Sequence, residues 1–187
     1  MTNKYNFETL ARADKEELEH VLLQGATPDI NQLDGYSYCG WNHEPIGKIT
    51  GRKFKKSFVK KISDVYGFNQ KIKQDSCGHS GQWDDVLVNG LPSPMGFFKV
   101  SYVKDEPCSK LHRNYNHLAL FNYNISFNRG LNSYFKVIRD FMVLPNKGDH
   151  SLLLGKAYVH LPGQIDLFAC YFLLGHPQRI NQQLYNF

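Results

Sequence analysis

The chain has 187 residues, 42% of them hydrophobic and 21% charged, with a formal net charge of +5. These proportions exclude a disordered, collagen-like or mucin-like chain and suffice for one domain with a sizeable core. The longest near-apolar stretch, Leu167 to Leu174, is less than half of the roughly 20 residues that a membrane-crossing helix needs.

In chain order, the start from Met1 to Tyr5 lacks the apolar run of about 7 to 15 residues of a secretory signal. A cytoplasmic protein without a transmembrane segment is therefore expected. A helix is predicted next. Asp14 stands three residues before Glu17 as a cap, Leu18, Val21 and Leu22 form one apolar stripe, and Gly25 supplies the stop. The expected organisation is a helical segment over 1–30, a β domain over 35–175 and a tail over 176–187.

From about Gly35 the hydrophobic period becomes two. Strands are expected over 35–41, 47–59, 65–74, 83–88, 91–103, 111–128, 133–144, 151–161 and 166–174. Asn89-Gly90 is the clearest hairpin turn, because both residues accept positive φ. Asn146 to Asp149 and Pro162-Gly163 supply two further connections. Thirteen Phe, eleven Tyr and two Trp bring aromatic residues to 14%, which suits β-sheet around an aromatic interior. The prediction is a mainly β fold: an antiparallel up-and-down β-barrel of about eight to ten strands with an N-terminal α-helix.

Charge is concentrated in one place. Between Lys48 and Lys61 lie seven basic residues and no acid, with Phe54 and Phe58 interleaved. A cationic surface for nucleic acid or anionic membrane is one reading. A solvated strand edge protected by lysine is the other, and it makes nucleic acid the less favoured partner.

On the predicted strand from Tyr115 to Phe127, the odd positions Tyr115, His117, Phe121, Tyr123 and Phe127 make an aromatic face, opposite Asn116, Asn122, Asn124 and Ser126. On the next strand, Phe135, Val137, Phe141 and Val143 share a face with Arg139. An inward Arg139 needs an anion, either a carboxylate of the fold or the acidic head of a ligand; reversal of the face or a rim position is the alternative. Asp140 then points to solvent or to the flanking helix. On 151–161, Leu153, Ala157, Val159 and Leu161 are expected inward and Lys156, Tyr158 and His160 outward.

Metal spacing is absent: His112 and His117 fall on opposite faces of a strand, and neither Cys77 with His79 nor Cys39 with His43 follows a zinc pattern. No metal and no cofactor are expected. The four cysteines, Cys39, Cys77, Cys108 and Cys170, read as free thiols. No nucleophile elbow or phosphate-binding glycine loop is present.

Gly81-Gln82-Trp83 and Arg139-Asp140-Phe141 resemble the Gly-x-Trp and Thr-Asp-Tyr regions of the calycin superfamily, the lipocalin and fatty-acid-binding barrels. The resemblance covers about 35–175 and implies a barrel closed at one end around an apolar ligand. The expected function is binding of a small apolar or amphipathic molecule, with Tyr115, Phe121, Phe127, Phe135 and Phe141 lining the pocket and Arg139 meeting an acidic group. The alternative is a barrel enzyme, an isomerase or cyclase, with His117 or Tyr123 as acid or base. Oligomeric state is not legible.

Overall fold

A computed structural model of the protein describes residues 4–43, 51–106, 114–163 and 165–180. Two short helices precede the sheet, α1 (Phe7–Arg12) and α2 (Lys15–Gln24). Asn6 opens α1 through a reciprocal box with Thr9, and Asp14 opens α2 by accepting the Glu17 amide at 2.9 Å. Gly25 ends α2, its N–H donating to the Val21 carbonyl at 2.8 Å.

The strands are β1 (Tyr36–Asn42), β2 (Lys53–Lys61), β3 (Asp64–Lys71), β4 (Leu87–Val88), β5 (Leu91–Pro92), β6 (Pro94–Tyr102), β7 (Ala119–Asn122), β8 (Ile138–Val143), β9 (Leu153–Leu161) and β10 (Ile165–Arg179). Eight of them close a barrel in the order β1-β10-β9-β8-β7-β6-β3-β2, while β4 and β5 form a separate hairpin. Every neighbouring pair in the barrel is antiparallel. The predicted up-and-down barrel with an N-terminal helix is thus the fold. Register shifts between Ser37 and Cys39, Gly67 and Asn69, and Phe168 and Cys170 add the local bending that closure needs. Among the described residues, no helix is long and apolar enough to cross a membrane.

Both sides of the barrel wall are packed. Inside, Tyr38, Phe58, Phe98, Val100, Phe121, Met142 and Phe172 form one cluster. Outside, Leu18, Val21 and Leu22 of α2 pack with Phe141, Val143, Leu154, Tyr158 and Tyr171 in another. Glycine makes room for the interior rings: a Cβ on Gly67 would stand 2.2 Å from the Phe98 ring, and one on Gly155 would stand 2.2 Å from Phe172. One end is filled by Leu33, Leu144, Leu153 and Leu174 together with the Tyr38 and Phe58 rings.

The expected strand over 111–128 is much shorter. Residues 111–113 lie outside the described residues, and β7 holds only Ala119–Asn122. Asparagine explains the loss of pairing: the Asn122 carboxamide accepts the Asn124 amide at 2.9 Å, and Asn128 ties the Tyr123 and Phe97 carbonyls at 2.7 Å each. These side chains offer the backbone an alternative to the ladder. The strand expected over 133–144 likewise begins as a 3-10 turn, Gly130–Val137. The expected 83–88 strand contributes only β4, and β10 runs on to Arg179 into the expected tail. The Asn89-Gly90 turn has the positive φ values expected, 52° and 78°.

Candidate functional site

The unfilled end of the barrel holds a cavity of about 600 Å³. Phe54, Ile72, Met95, Phe135, Ile138 and Phe172 supply apolar lining, and the polar lining includes Lys56, Asn69, Tyr123 and Asp140 together with Lys53, Lys71 and three other amides. Phe135 reaches it from the 3-10 turn and stacks on Tyr123 with ring centres 6.1 Å apart. Val86 and Tyr134 also line the cavity, and the neighbouring Leu87, Val88 and Leu91 are exposed.

At its inner end β2, β8 and the residue just past β7 bring together three groups, Lys56, Asp140 and Tyr123. The inward positions of β2 are Phe54, Lys56 and Phe58, so Lys56 projects between two aromatic rings. On β8 Asp140 lies opposite Phe121 of β7 and Ala157 of β9, both on the inner face. Lys56 Nζ donates to Asp140 Oδ2 at 2.7 Å and to the Tyr123 hydroxyl at 2.6 Å. The Tyr123 hydroxyl in turn donates to the same carboxylate oxygen at 2.9 Å and accepts from Asn69 Nδ2 at 3.3 Å.

The electrostatics follow from burial. The side chains of Lys56 and Asp140 are 3% and 4% exposed. Burial pushes the Lys56 ammonium below its ordinary value, and the Asp140 carboxylate opposes that shift. Phe98 and Phe172 ring centres 4.8 Å from Nζ help hold a cation there. Burial and the Asp140 charge both raise the Tyr123 phenol well above its usual range, so it stays protonated as a donor. Burial also raises the cavity-lining Cys170 thiol to about 12, which makes it a poor nucleophile. Lys56 and Asp140 together are neutral. The ammonium has three N–H donors, and two of them have partners among the described residues.

No family model, curated protein or solved structure matches the chain.

The residues expected to line a pocket separate into three places. Tyr123 and Phe135 line the cavity, and Phe121 lies beneath it, stacked on Phe98 at 4.9 Å. Tyr115 and Phe141 meet each other at 5.1 Å in the outer layer beneath α2. Phe127 contacts Tyr66 and Phe97 at 6.0 and 6.2 Å, away from the cavity. The expected facing of β8 is reversed: Arg139 pairs across from the outward Tyr158 and donates to the Lys136 and Ile138 carbonyls at 2.9 and 2.6 Å, while Asp140 points inward. His117 does not line this cavity; its carbonyl accepts from Thr27 Oγ1 at 2.5 Å, and its Nε2 is buried without a hydrogen-bond partner among the described residues. Trp83 of the Gly-x-Trp tripeptide lies over the barrel wall, donating to the Gly40 carbonyl at 3.2 Å.

The basic run does not form one cationic face. Lys48 lies outside the described residues. Alternation along β2 sends Lys53 to Asp75 at 2.8 Å and Lys55 to Asp85 at 3.0 Å, while Lys56 goes inward to Asp140. Because β2 is paired on both sides, it is not the lysine-protected edge that the sequence suggested.

A second polar cluster lies outside the barrel. Lys156 Nζ meets Glu19 Oε2 of α2 at 2.7 Å and the Tyr115 hydroxyl at 2.8 Å. Tyr171 and Tyr115 donate to the Glu19 carboxylate, and the Tyr158 hydroxyl lies 3.2 Å from that of Tyr115. Burial pushes Glu19 up, but the hydrogen bonds from Lys156 and Tyr171 outweigh it and leave the carboxyl below its ordinary value.

Proposed function

We propose that the protein binds a small, mainly apolar molecule in the barrel cavity, with an uncharged polar group of that molecule meeting Lys56 and Tyr123. The observation that carries this reading is the position of a neutralised Lys56–Asp140 pair at the inner end of a mainly apolar cavity of about 600 Å³. That volume is within the usual range for small-molecule sites, roughly 300 to 1,000 Å³. A buried ion pair often contributes less stability than apolar residues of the same volume, so its presence against a cavity favours a use in recognition. The closed antiparallel barrel supports the likeness to the calycins, whose members hold apolar ligands.

Charge balance narrows the ligand. Lys56 already has a carboxylate partner, so a carboxylate at this inner end would face Asp140 without a second cation beside it; Lys53 and Lys71 also line the cavity, Lys53 paired with Asp75. An alcohol or carbonyl oxygen instead accepts from the remaining Lys56 N–H with no added charge. Nile red displacement by dodecanol and by dodecanoic acid tests this directly: dodecanol should compete better, and equal or stronger competition by the acid at neutral pH would overturn the uncharged-head assignment. Tyr123→Phe keeps the ring and removes one hydroxyl, and should weaken dodecanol about threefold to tenfold, the worth of one hydrogen bond.

A catalytic reading has one supporting observation. Tyr123 carries a proton held between a lysine and a carboxylate beside the cavity, an arrangement suited to acid or base work. His117 lacks that placement.

A further inference from the structure

We propose that Lys56 is a covalent site, at which the ε-amine condenses with the carbonyl of an apolar aldehyde or ketone in the cavity to give an iminium paired with Asp140. This inference rests on the cavity reading above and adds the chemical class of its occupant.

Three features of the site converge on that chemistry. First, the lysine belongs to the cavity lining and is ringed by Phe98, Phe121 and Phe172 at 4.8 to 5.3 Å, so a bound apolar carbonyl compound is held near it with little water. Dry surroundings favour condensation, because water is a product. Second, Asp140 at 2.7 Å can take one ammonium proton and so release the lone pair of Nζ. Burial favours the neutral amine in the same direction. Third, the Tyr123 hydroxyl bridges Nζ and the carboxylate, which gives a proton donor for the carbonyl oxygen.

The step balances without any other reactant. The Nζ lone pair forms a bond to the carbonyl carbon as the C=O π pair moves to oxygen, which takes the Tyr123 proton. Tyr123 regains a proton from Asp140, and the amine proton lost from the resulting carbinolamine returns to the carboxylate. A further proton relayed through Tyr123 lets the carbinolamine hydroxyl leave as water, while the nitrogen lone pair forms the C=N bond. Ammonium plus carbonyl thus becomes iminium plus water, and nothing is oxidised or reduced. Nitrogen carries one positive charge before and after, so a pocket that pairs ammonium with Asp140 also pairs iminium with it. Lys156 provides an internal comparison: its amine has the same kinds of partner, Glu19 and Tyr115, but lies between helix and wall.

The test is reductive trapping of the whole protein with cinnamaldehyde and sodium cyanoborohydride near neutral pH, followed by peptide mapping. The expected result is one dominant adduct on Lys56 and none comparable on Lys156. Tyr123→Phe should slow trapping by about a hundredfold, the lower range for loss of a positioned proton donor. Lys56→Arg, which retains a cation, should abolish the dominant adduct. Cinnamyl alcohol, which cannot condense, separates the two readings. If it displaces Nile red while adducts spread over surface lysines and spare Lys56, the covalent assignment is overturned and the cavity stands. If it displaces no dye and Lys56 is not trapped, both fall.

Discussion

In two of the barrel's lysine–carboxylate pairs the lysine also donates to a tyrosine hydroxyl, one inside its wall and one outside. Lys56–Asp140 is 3% and 4% exposed, and Lys156–Glu19 is 9% and 31% exposed. Outside, three tyrosine hydroxyls gather around the pair and the carboxylate comes from α2, so the cluster fastens the helix to β9 and β10. Inside, both charges come from barrel strands and the pair borders a cavity. The same residue types therefore serve attachment in one place and line a cavity in the other. What separates them is whether the space around the lysine is occupied by the protein.

The largest contrast should come from breaking each pair. Lys56→Met leaves a buried carboxylate uncompensated and should cost about 3 to 5 kcal/mol, measured by urea unfolding. Lys56→Met with Asp140→Leu removes both charges, and most of that loss should return. Failure of the double variant to recover would mean that the inner pair also organises the barrel. Outside, Glu19→Gln should cost only about 1 kcal/mol, because solvent screens a partly exposed pair. A loss there as large as for Lys56→Met would remove the distinction between the clusters.

Acid and alkali should sharpen the contrast. Glu19 has its folded value below 4.5, so between the two values the unfolded chain binds more protons. The stability Glu19 gives is complete above 4.5 and is lost as pH falls through the folded value. Lys56 has its folded value below 10.5, and in that interval the unfolded chain again binds more protons. Its effect on stability therefore appears on the alkaline side, as a gain while pH rises from the folded value toward 10.5. Unfolding measured across pH should show a smaller acid-side change in Glu19→Gln, with Glu8, Asp29, Asp75 and Asp149 also held below their ordinary values, and should lack the Lys56 gain on the alkaline side in the Lys56→Met, Asp140→Leu double variant. An acid-side change of undiminished size in Glu19→Gln would assign it wholly to those other carboxylates.

The barrel was legible because turn residues and a period of two recur along the chain, and the α2 caps were legible because Asp14 and Gly25 act locally. The site was less so. Alternation identifies the inward face only where the other face is polar, and on β8 Arg139, Phe141 and Val143 oppose Ile138, Asp140 and Met142, apolar on both sides because the outer layer covers that wall. The charged residue that faces inward was thus assigned to the wrong neighbour. Lys56 did leave a signal, since Phe54 and Phe58 flank it at spacing two, but the surrounding lysines made the run read as a surface. Tyr123 was found by its own strand's pattern, although the Asn-rich segment beyond it turns instead of pairing.

The smallest expected effect is at Arg139. Its guanidinium donates to the carbonyls of Lys136 and Ile138 and shares the outer face with Tyr158 across the β8–β9 pair. Removal in Arg139→Leu takes away hydrogen bonds that brace the end of the 3-10 turn, so a stability cost of about 1 kcal/mol is expected. Dodecanol affinity should remain unchanged, because the polar contact proposed for the ligand belongs to Lys56 and Tyr123. Nile red competition measures this at fixed fold, with urea unfolding run on the same variant. Weaker dodecanol binding without a fall in stability would carry the site outward past Ile138 to the barrel rim, and would give Arg139 the part in recognition that the sequence first suggested.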